Sequence, residues 1–408
     1  MNIKIAFTIV SMLVLSCAYT QESNAPKFGK GLFNLKGNDN SWSMNIGARV
    51  QFLTTAQWHS NSNGLSNPKS SFLIRRARLK FNGFAFSPKL SYKVELGLSN
   101  KDIGGASVFT NNAPRYILDA VLKWNFYQNF ELWLGQTKLP GNRERIVSSG
   151  NLQGVDRSLL NKRFNIDRDM GLQLRHHFKI ADTFVVRETL SIAQGEGRNI
   201  TTGNIGGHQY TARLEFLPFG NFKSKGDYKG SDLKREETPK LAIGTSYDFN
   251  NNAVKNRSNQ GAYMYIDNSK DHKLADRIYH KTDISTLFID AMFKYRGFSF
   301  MGEYAYRDAK NPIARNSDGT STGAIVQIGS GLNLQAAYLL AKNWEVSGRY
   351  TNIDLDKITK RNLENQYTLG VSKYIVGHKL KVQTDISYLD VVNSSNKLVY
   401  RLQIDIHF

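Results

Sequence analysis

Arg76, Arg78 and Lys80 stand at every second position of the segment Arg75-Arg-Ala-Arg-Leu-Lys80. Residues two apart on an extended strand share a face and lie roughly 7 Å apart along it. The three would therefore form a ladder of positive charge. Such a ladder attracts anions, and the arginine fork suits the oxygens of phosphate. Further bases fall on the polar face of other alternating segments: Arg49, Lys93, Lys123, Arg175 and Arg213. That face also holds acids, among them Glu95, Asp119, Glu215, Asp290, Glu345 and Asp405. Two readings stay open. One is a mixed, mutually paired lining around water; the other is a cationic track that selects anions, as rings of Arg or Lys do.

A second basic cluster occupies residues 139–168: Arg143, Arg145, Arg157, Lys162, Arg163 and Arg168. A stretch of that length without strand or helix pattern is usually functional or disordered. Folded inward it would make a constriction; left outside it would be an exposed loop. Other chemistry is poorly supported. His176-His177 would point to opposite faces of a strand and cannot hold one metal. No Gly-rich turn follows a strand and opens a helix, so phosphate-cradling nucleotide motifs are absent. No Ser, His and carboxylate form a local hydrolase motif. We expect no enzyme, no metal and no cofactor.

The elements that carry these residues alternate with a period of two. In residues 42–53 Trp42, Met44, Ile46, Ala48, Val50 and Phe52 oppose Ser43, Asn45, Arg49 and Gln51. The same grammar recurs at 74–82, 90–99, 116–126, 172–175, 210–216, 344–350 and 380–388. It ends with Tyr400, Leu402, Ile404, Ile406 and Phe408 against Arg401, Gln403, Asp405 and His407. Alternation of this kind marks strands lying between an oily medium and water. About sixteen such strands, roughly ten residues each, predict an all-β, transmembrane antiparallel β-barrel. Tight turns at 86–89, 127–129, 180–182, 295–297, 341–343 and 376–378 alternate with long polar loops at 54–70, 100–115, 139–168, 195–206, 250–281, 309–322 and 355–364. Short periplasmic turns and long extracellular loops are the rule for such barrels. The long connection 218–239 breaks it, on the side where a short turn is expected. Aromatic residues beside turns, such as Trp42, Trp124, Phe126, Phe298 and Phe408, fit interfacial girdles.

The 408 residues carry 54 Lys and Arg against 34 Asp and Glu, a formal net charge of +20, with pI near 9.8 and mean hydropathy −0.42. A barrel tolerates that hydropathy because only alternate residues face lipid. Residues 1–20 read as a signal peptide, with Lys4 before a short apolar core. A lipoprotein signal at Cys17 is the alternative. Cys17 is the only cysteine, so the mature chain has no disulfide. Residues 21–41 read as a flexible lead-in and 42–408 as the barrel. An exported chain with no reading helix makes nucleic acid an unlikely partner.

The segments Arg75-Arg-Ala-Arg-Leu-Lys80 with Gly83, Gly135-Gln-Thr-Lys-Leu-Pro140, Asp156-Arg-Ser-Leu159, Arg168-Asp-Met-Gly171 and the terminal Phe408 together resemble the phosphate-selective porin O and P family, in a form typical of Bacteroidetes-like bacteria. The resemblance implies a sixteen-stranded barrel of the bacterial outer membrane, embedded in its lipid. It also implies a homotrimer, a third loop folded into the lumen, and recognition of Phe408 by the barrel-assembly machinery. In characterised members an arginine ladder and a lysine cluster guide phosphate or polyphosphate; Arg76 and Arg78 match a shared motif. We therefore expect a porin for passive diffusion of small hydrophilic solutes with a preference for anions. The alternatives are a non-selective porin, or a closed barrel serving as an adhesin or structural surface protein.

Overall fold

The computed structural model describes residues 26–61 and 64–408. The leader expected over 1–20, with Cys17, lies outside the described residues. Sixteen long strands follow one another around a closed sheet. They are β1 Trp42–Asn61, β2 Gly64–Ala85, β3 Ser87–Gly97, β4 Ile117–Tyr127, β5 Phe130–Lys138, β6 Arg168–Lys179, β7 Val185–Ala193 and β8 Gln209–Leu217. They continue as β9 Lys240–Ala253, β10 Thr282–Tyr295, β11 Phe298–Ala309, β12 Gly329–Leu339, β13 Trp344–Leu355, β14 Glu364–Tyr374, β15 Leu380–Val391 and β16 Asn396–His407. Each pairs antiparallel with its sequence neighbours, and β1 closes on β16 from Arg49 opposite His407 to Ser60 opposite Asn396. Closure removes the unpaired sheet edges, which nothing could satisfy in lipid.

The alternation read from the sequence sorts the side chains as expected. Leu122, Trp124, Leu134, Leu190, Tyr247, Leu369 and Ile404 are exposed on the outside. Charged side chains of the same strands, such as Arg76, Asp119, Arg213, Asp290 and Asp405, are buried inside.

Three segments differ from expectation. Of residues 54–70, read as a long loop, 54–61 and 64–70 are paired extensions of β1 and β2, with Thr54 opposite Phe72 and Ser60 opposite Leu65. Thr, Gln and Ser in place of apolar residues hid the strand pattern where it leaves the oily zone. The lead-in expected to be flexible over 21–41 contains a strand, Phe33–Lys36, paired with β1 from Ile46 to Ser43. It continues where β16 stops: Phe408 N donates to Ala48 O at 2.9 Å and Leu32 N to Ile46 O at 2.6 Å. Phe28 packs edge-on against Phe408, centroids 5.8 Å apart. Third, the long loops carry structure of their own, including strands Lys255–Tyr263, Ile313–Arg315 and Ser321–Ile325.

Gly135 and Gly171 face each other across β5 and β6. Gly135 has φ +127°, and a Cβ there would lie 2.2 Å from the Ala120 carbonyl oxygen; one on Gly171 would lie 2.2 Å from that of Ile192. Replacing Gly135 by Ala is therefore expected to cost about 1–3 kcal/mol in backbone strain. A lowered temperature for loss of the compact barrel band in semi-native gel electrophoresis checks it.

Candidate functional site

Residues 139–167 leave β5 and turn into the barrel. Two short helices, α1 Arg143–Ile146 and α2 Leu159–Phe164, shape the segment. Ser158 caps α2 by accepting from Asn161 N at 3.2 Å. The apolar face of the segment (Leu139, Leu159, Leu160, Phe164, Ile166) is buried against Phe288, Ala305, Ile353 and Leu355 on the inner wall. That fixes it across the interior against β10, β11 and β13.

A backbone folded in this way has carbonyls that no sheet neighbour can satisfy. Side chains of the wall supply the donors. Arg49 reaches Ser149 O at 3.2 Å, Arg213 reaches Gly141 O at 2.9 Å, and Lys381 Nζ reaches Leu152 O at 2.8 Å. Arg349 donates to Asp156 O at 2.9 Å, and Arg307 donates to the carbonyls of Arg163 and Phe164. Deeper in, Arg143 and Arg213 alternate with Asp290 and Glu215, with Arg143 Nε 2.6 Å from Asp290 and Arg213 Nη1 2.7 Å from it.

The exceptional connection, residues 218–239, enters from the short-turn end. Phe222 packs on Val185, Leu217, Ala242, Met292 and Met301. Lys294 Nζ holds Lys229 O and Ser231 O at 2.9 and 2.6 Å, and Asp232 accepts from Gly297 N at 2.8 Å. The two inserts meet: Gly230 N donates to Asn151 O at 2.7 Å, and Arg143 donates to Asp227 O at 3.2 Å. Between them they cover the inner wall from β9 to β16.

What remains open is a cavity of about 1530 Å³ on the opposite side, against β2 to β8. It runs from Arg115 and Ala262 at the long-loop end to Asn129 and Lys225 at the short-turn end. Seventeen basic and eight acidic side chains line it, so its surface is positive overall.

Of the expected path residues, Arg76, Arg78, Lys93, Lys123 and Arg175 line this cavity. Lys80 continues the ladder but is exposed beyond the cavity's lining. Arg49 and Arg213 point inward but are buried beneath the inserts, bonded to Asp405 and Asp290. Within 139–168, Arg145, Arg157 and Arg168 face the cavity. Arg143 is fully buried, Arg163 is tied to Glu364 at 2.5 Å, and Lys162 is exposed away from the cavity.

Many lining bases are shared with acids. Arg78 pairs with Glu95 and Asp102, Lys93 with Glu95 and Asp119, Arg168 with Asp119, and Arg145 with Asp167. Asp156 faces both Arg75 and Arg76. Burial alone would raise its carboxyl, but the two arginines outweigh burial and hold it well below the usual carboxylate range. Burial pulls the Arg157 guanidinium down to about 10, opposed by Glu144 and Asp156; it stays charged at neutral pH. Lys123 and Arg175 are different. Among the described residues neither forms an ion pair; they flank the Trp133 ring at 3.8 and 3.9 Å, a cation–π arrangement, while Trp133 Nε1 donates to Glu131, the residue opposite Arg175, at 2.8 Å.

Sequence reading passed over Arg75 and Trp133. The register of β1 and β2 shifts between Gln51 and Phe52, so Arg75 is an extra residue in a bulge and reaches the cavity beside Arg76. Its signal was present: outward residues change parity from Phe72 and Ile74 to Ala77, Leu79 and Phe81. Trp133 is absent from the aromatic residues read as interfacial, and its position in the alternation is an inward one. Lys138, Arg198 and Lys255 reach the cavity from strand ends and loops, where no periodicity marks them.

Comparison with known proteins gives three kinds of likeness. The family model described as phosphate-selective porin O and P matches residues 45–400. An uncharacterized protein of Aquifex aeolicus (strain VF5) is 23% identical over 370 residues, 83% of this chain and 81% of the relative. Among solved structures, an anion-selective porin from Comamonas acidovorans superposes with TM-score 0.53 at 12% identity, over 90% of this chain and 100% of that one. The outer membrane channel DcaP of Acinetobacter baumannii gives 0.51 at 14%, over 92% and 100%. A trimer form of OmpT of Vibrio cholerae gives 0.50 at 13%, over 89% and 99%. At these identities the structures speak for the fold.

Phe164 is fully buried between insert and wall. Phe164→Ala is expected to destabilise the folded chain by about 3–5 kcal/mol. Limited proteolysis checks the site of loosening: cleavage should appear within 139–167, which is protected in the unaltered chain.

Proposed function

The chain belongs to the phosphate-selective porin O and P family, and on that premise we propose that it is an outer-membrane porin admitting small hydrophilic anions, phosphate among them, by passive diffusion. Family and fold are those of a channel. The observation that carries the anion preference is the open wall of the lumen. Its strands, β2 to β8, line the cavity with nine bases against five acids, and the whole cavity lining has seventeen against eight; Lys123 and Arg175 flank Trp133 and share the single nearby Glu131, which Trp133 Nε1 holds. The through-running cavity favours a conducting barrel over a closed one. The barrel stands in the bacterial outer membrane with its short turns toward the periplasm. It assembles as a homotrimer, and Phe408, placed at the seam beside Ala48, is the residue read by the assembly machinery.

Arg76 and Arg78 hold the start of the path, but their charge is shared with Asp156, Glu95 and Asp102. The sign of selectivity rests more on Lys123, Arg175 and Arg157. A unit charge about 4 Å from a passing ion in water changes its energy by about 1 kcal/mol. Folded protein in a planar bilayer under a KCl gradient is expected to give a reversal potential of anion-selective sign. Lys123→Gln with Arg175→Gln should lower the chloride-over-potassium permeability ratio several-fold, and the melting temperature should change little. A cation-selective sign in the unaltered protein would remove the anion preference.

A further inference from the structure

We propose that the periplasmic insert, residues 218–239, is a selectivity element: it seals one half of the lumen and so forces solute along the base-rich half. The inference rests on the anion reading above for its selectivity part, though not for the seating of the insert.

The two walls of the lumen differ in charge. The covered wall, β9 to β16, carries Asp248, Asp290, Glu303, Glu345, Asp385 and Asp405, all buried. The same strands and β1 bury five bases, Arg49, Lys294, Arg307, Arg349 and Lys381, so this half has no basic excess. The strands of the open wall, β2 to β8, line the cavity with nine bases against five acids. A passage including both halves would present a far weaker positive field, because selectivity by a charged lining depends on the excess of one sign along the path.

The loop from the other end covers only part of the half without basic excess. The periplasmic insert closes the rest. Phe222 is its apolar anchor. Lys294 and Asp232 hold its backbone, and Arg235 clamps the turn beyond β12 at Leu339 O and Leu340 O, 3.0 and 2.7 Å away. His378 in the next turn is 3.2 Å from Gly230 O. Gly230 sits where the inserts touch, and a Cβ there would lie 2.5 Å from Gln153 N. That close approach requires glycine. On the open side Asp227 and Tyr228 meet Arg187 and Glu215, so the insert also forms the inner bank of the exit. A connection of this length is not needed to join the strands: Phe216 and Ile243 are already paired neighbours.

The test replaces residues 221–236 by a short turn. A reporter Met301→Cys is placed beneath Phe222, and Cys17 is the chain's only other cysteine. In the full chain a cationic methanethiosulfonate reagent should leave position 301 unlabelled; in the shortened chain it should label it fully. Single-channel conductance should rise at least twofold, and the chloride-over-potassium ratio should fall at least twofold. Rapid labelling at 301 in the full chain overturns the seating. A shortened chain that is labelled yet keeps its conductance and permeability ratio overturns the selectivity role. Should the shortened chain fail to fold, Gly230→Val in the full chain drives the inserts apart and is expected to move labelling and ratio in the same directions; no change in either overturns the proposal. If the unaltered porin is not anion-selective, labelling and conductance still decide whether the insert seals the lumen.

Discussion

A backbone folded into the middle of a barrel has carbonyl groups that no strand can satisfy, and the rest of this lumen is arranged around that need. Each buried carbonyl left without a donor costs about 1–3 kcal/mol. The wall meets the need with long cationic side chains: Arg49, Arg213, Arg307, Arg349 and Lys381 for one insert, and Lys294 for the other. Long side chains suit the task because they cross the gap from wall to insert, and they carry only donors. Their charge is balanced by carboxylates of the same wall, such as Asp290 and Asp405. The bases on this side are thus structural.

The opposite wall holds the inserts at fewer points: Lys138 donates to the carbonyls of Arg145, Ile146 and Val147, and Arg187 meets Asp227. Most other bases there remain at a free surface, many paired with acids, and two, Lys123 and Arg175, lie against the face of Trp133. An indole ring steadies a cation without cancelling its charge. The same residue types therefore do two jobs in one barrel. What separates the jobs is whether a backbone segment lies over them. This division makes the open lumen eccentric, and it links conductance to the seating of two segments that enter from opposite ends and meet at Gly230.

Most of the architecture was legible in the residues. A period of two, repeated over about sixteen segments and running to Phe408, marks strands with one oily and one wet face, and the alternation of short turns with long loops is what points to their closure. The inward bend of 139–167 was legible as a possibility, from its length and its bases. Three things were hidden. Residues 54–61 and 64–70 lose alternation once both faces meet water, yet they stay paired. The bulge at Arg75 shows only as a change of parity. The partition of Arg49 and Arg213 from Arg76 and Arg175 depends on contacts across the barrel, more than 70 residues apart in sequence for Arg213 and Gly141, and no local pattern carries such information. The long turn 218–239 broke the rule of short turns because it serves the interior and not the connection.

The division of labour among the bases is tested most directly at Lys381, which is fully buried and donates to Leu152 O. Lys381→Met keeps its length and removes its charge. The reversal potential of the folded channel in a KCl gradient should stay where the unaltered protein has it, even though thermal stability falls. A loss of anion preference as large as that from neutralising a base on the open wall would contradict the assignment of these buried cations to holding backbone.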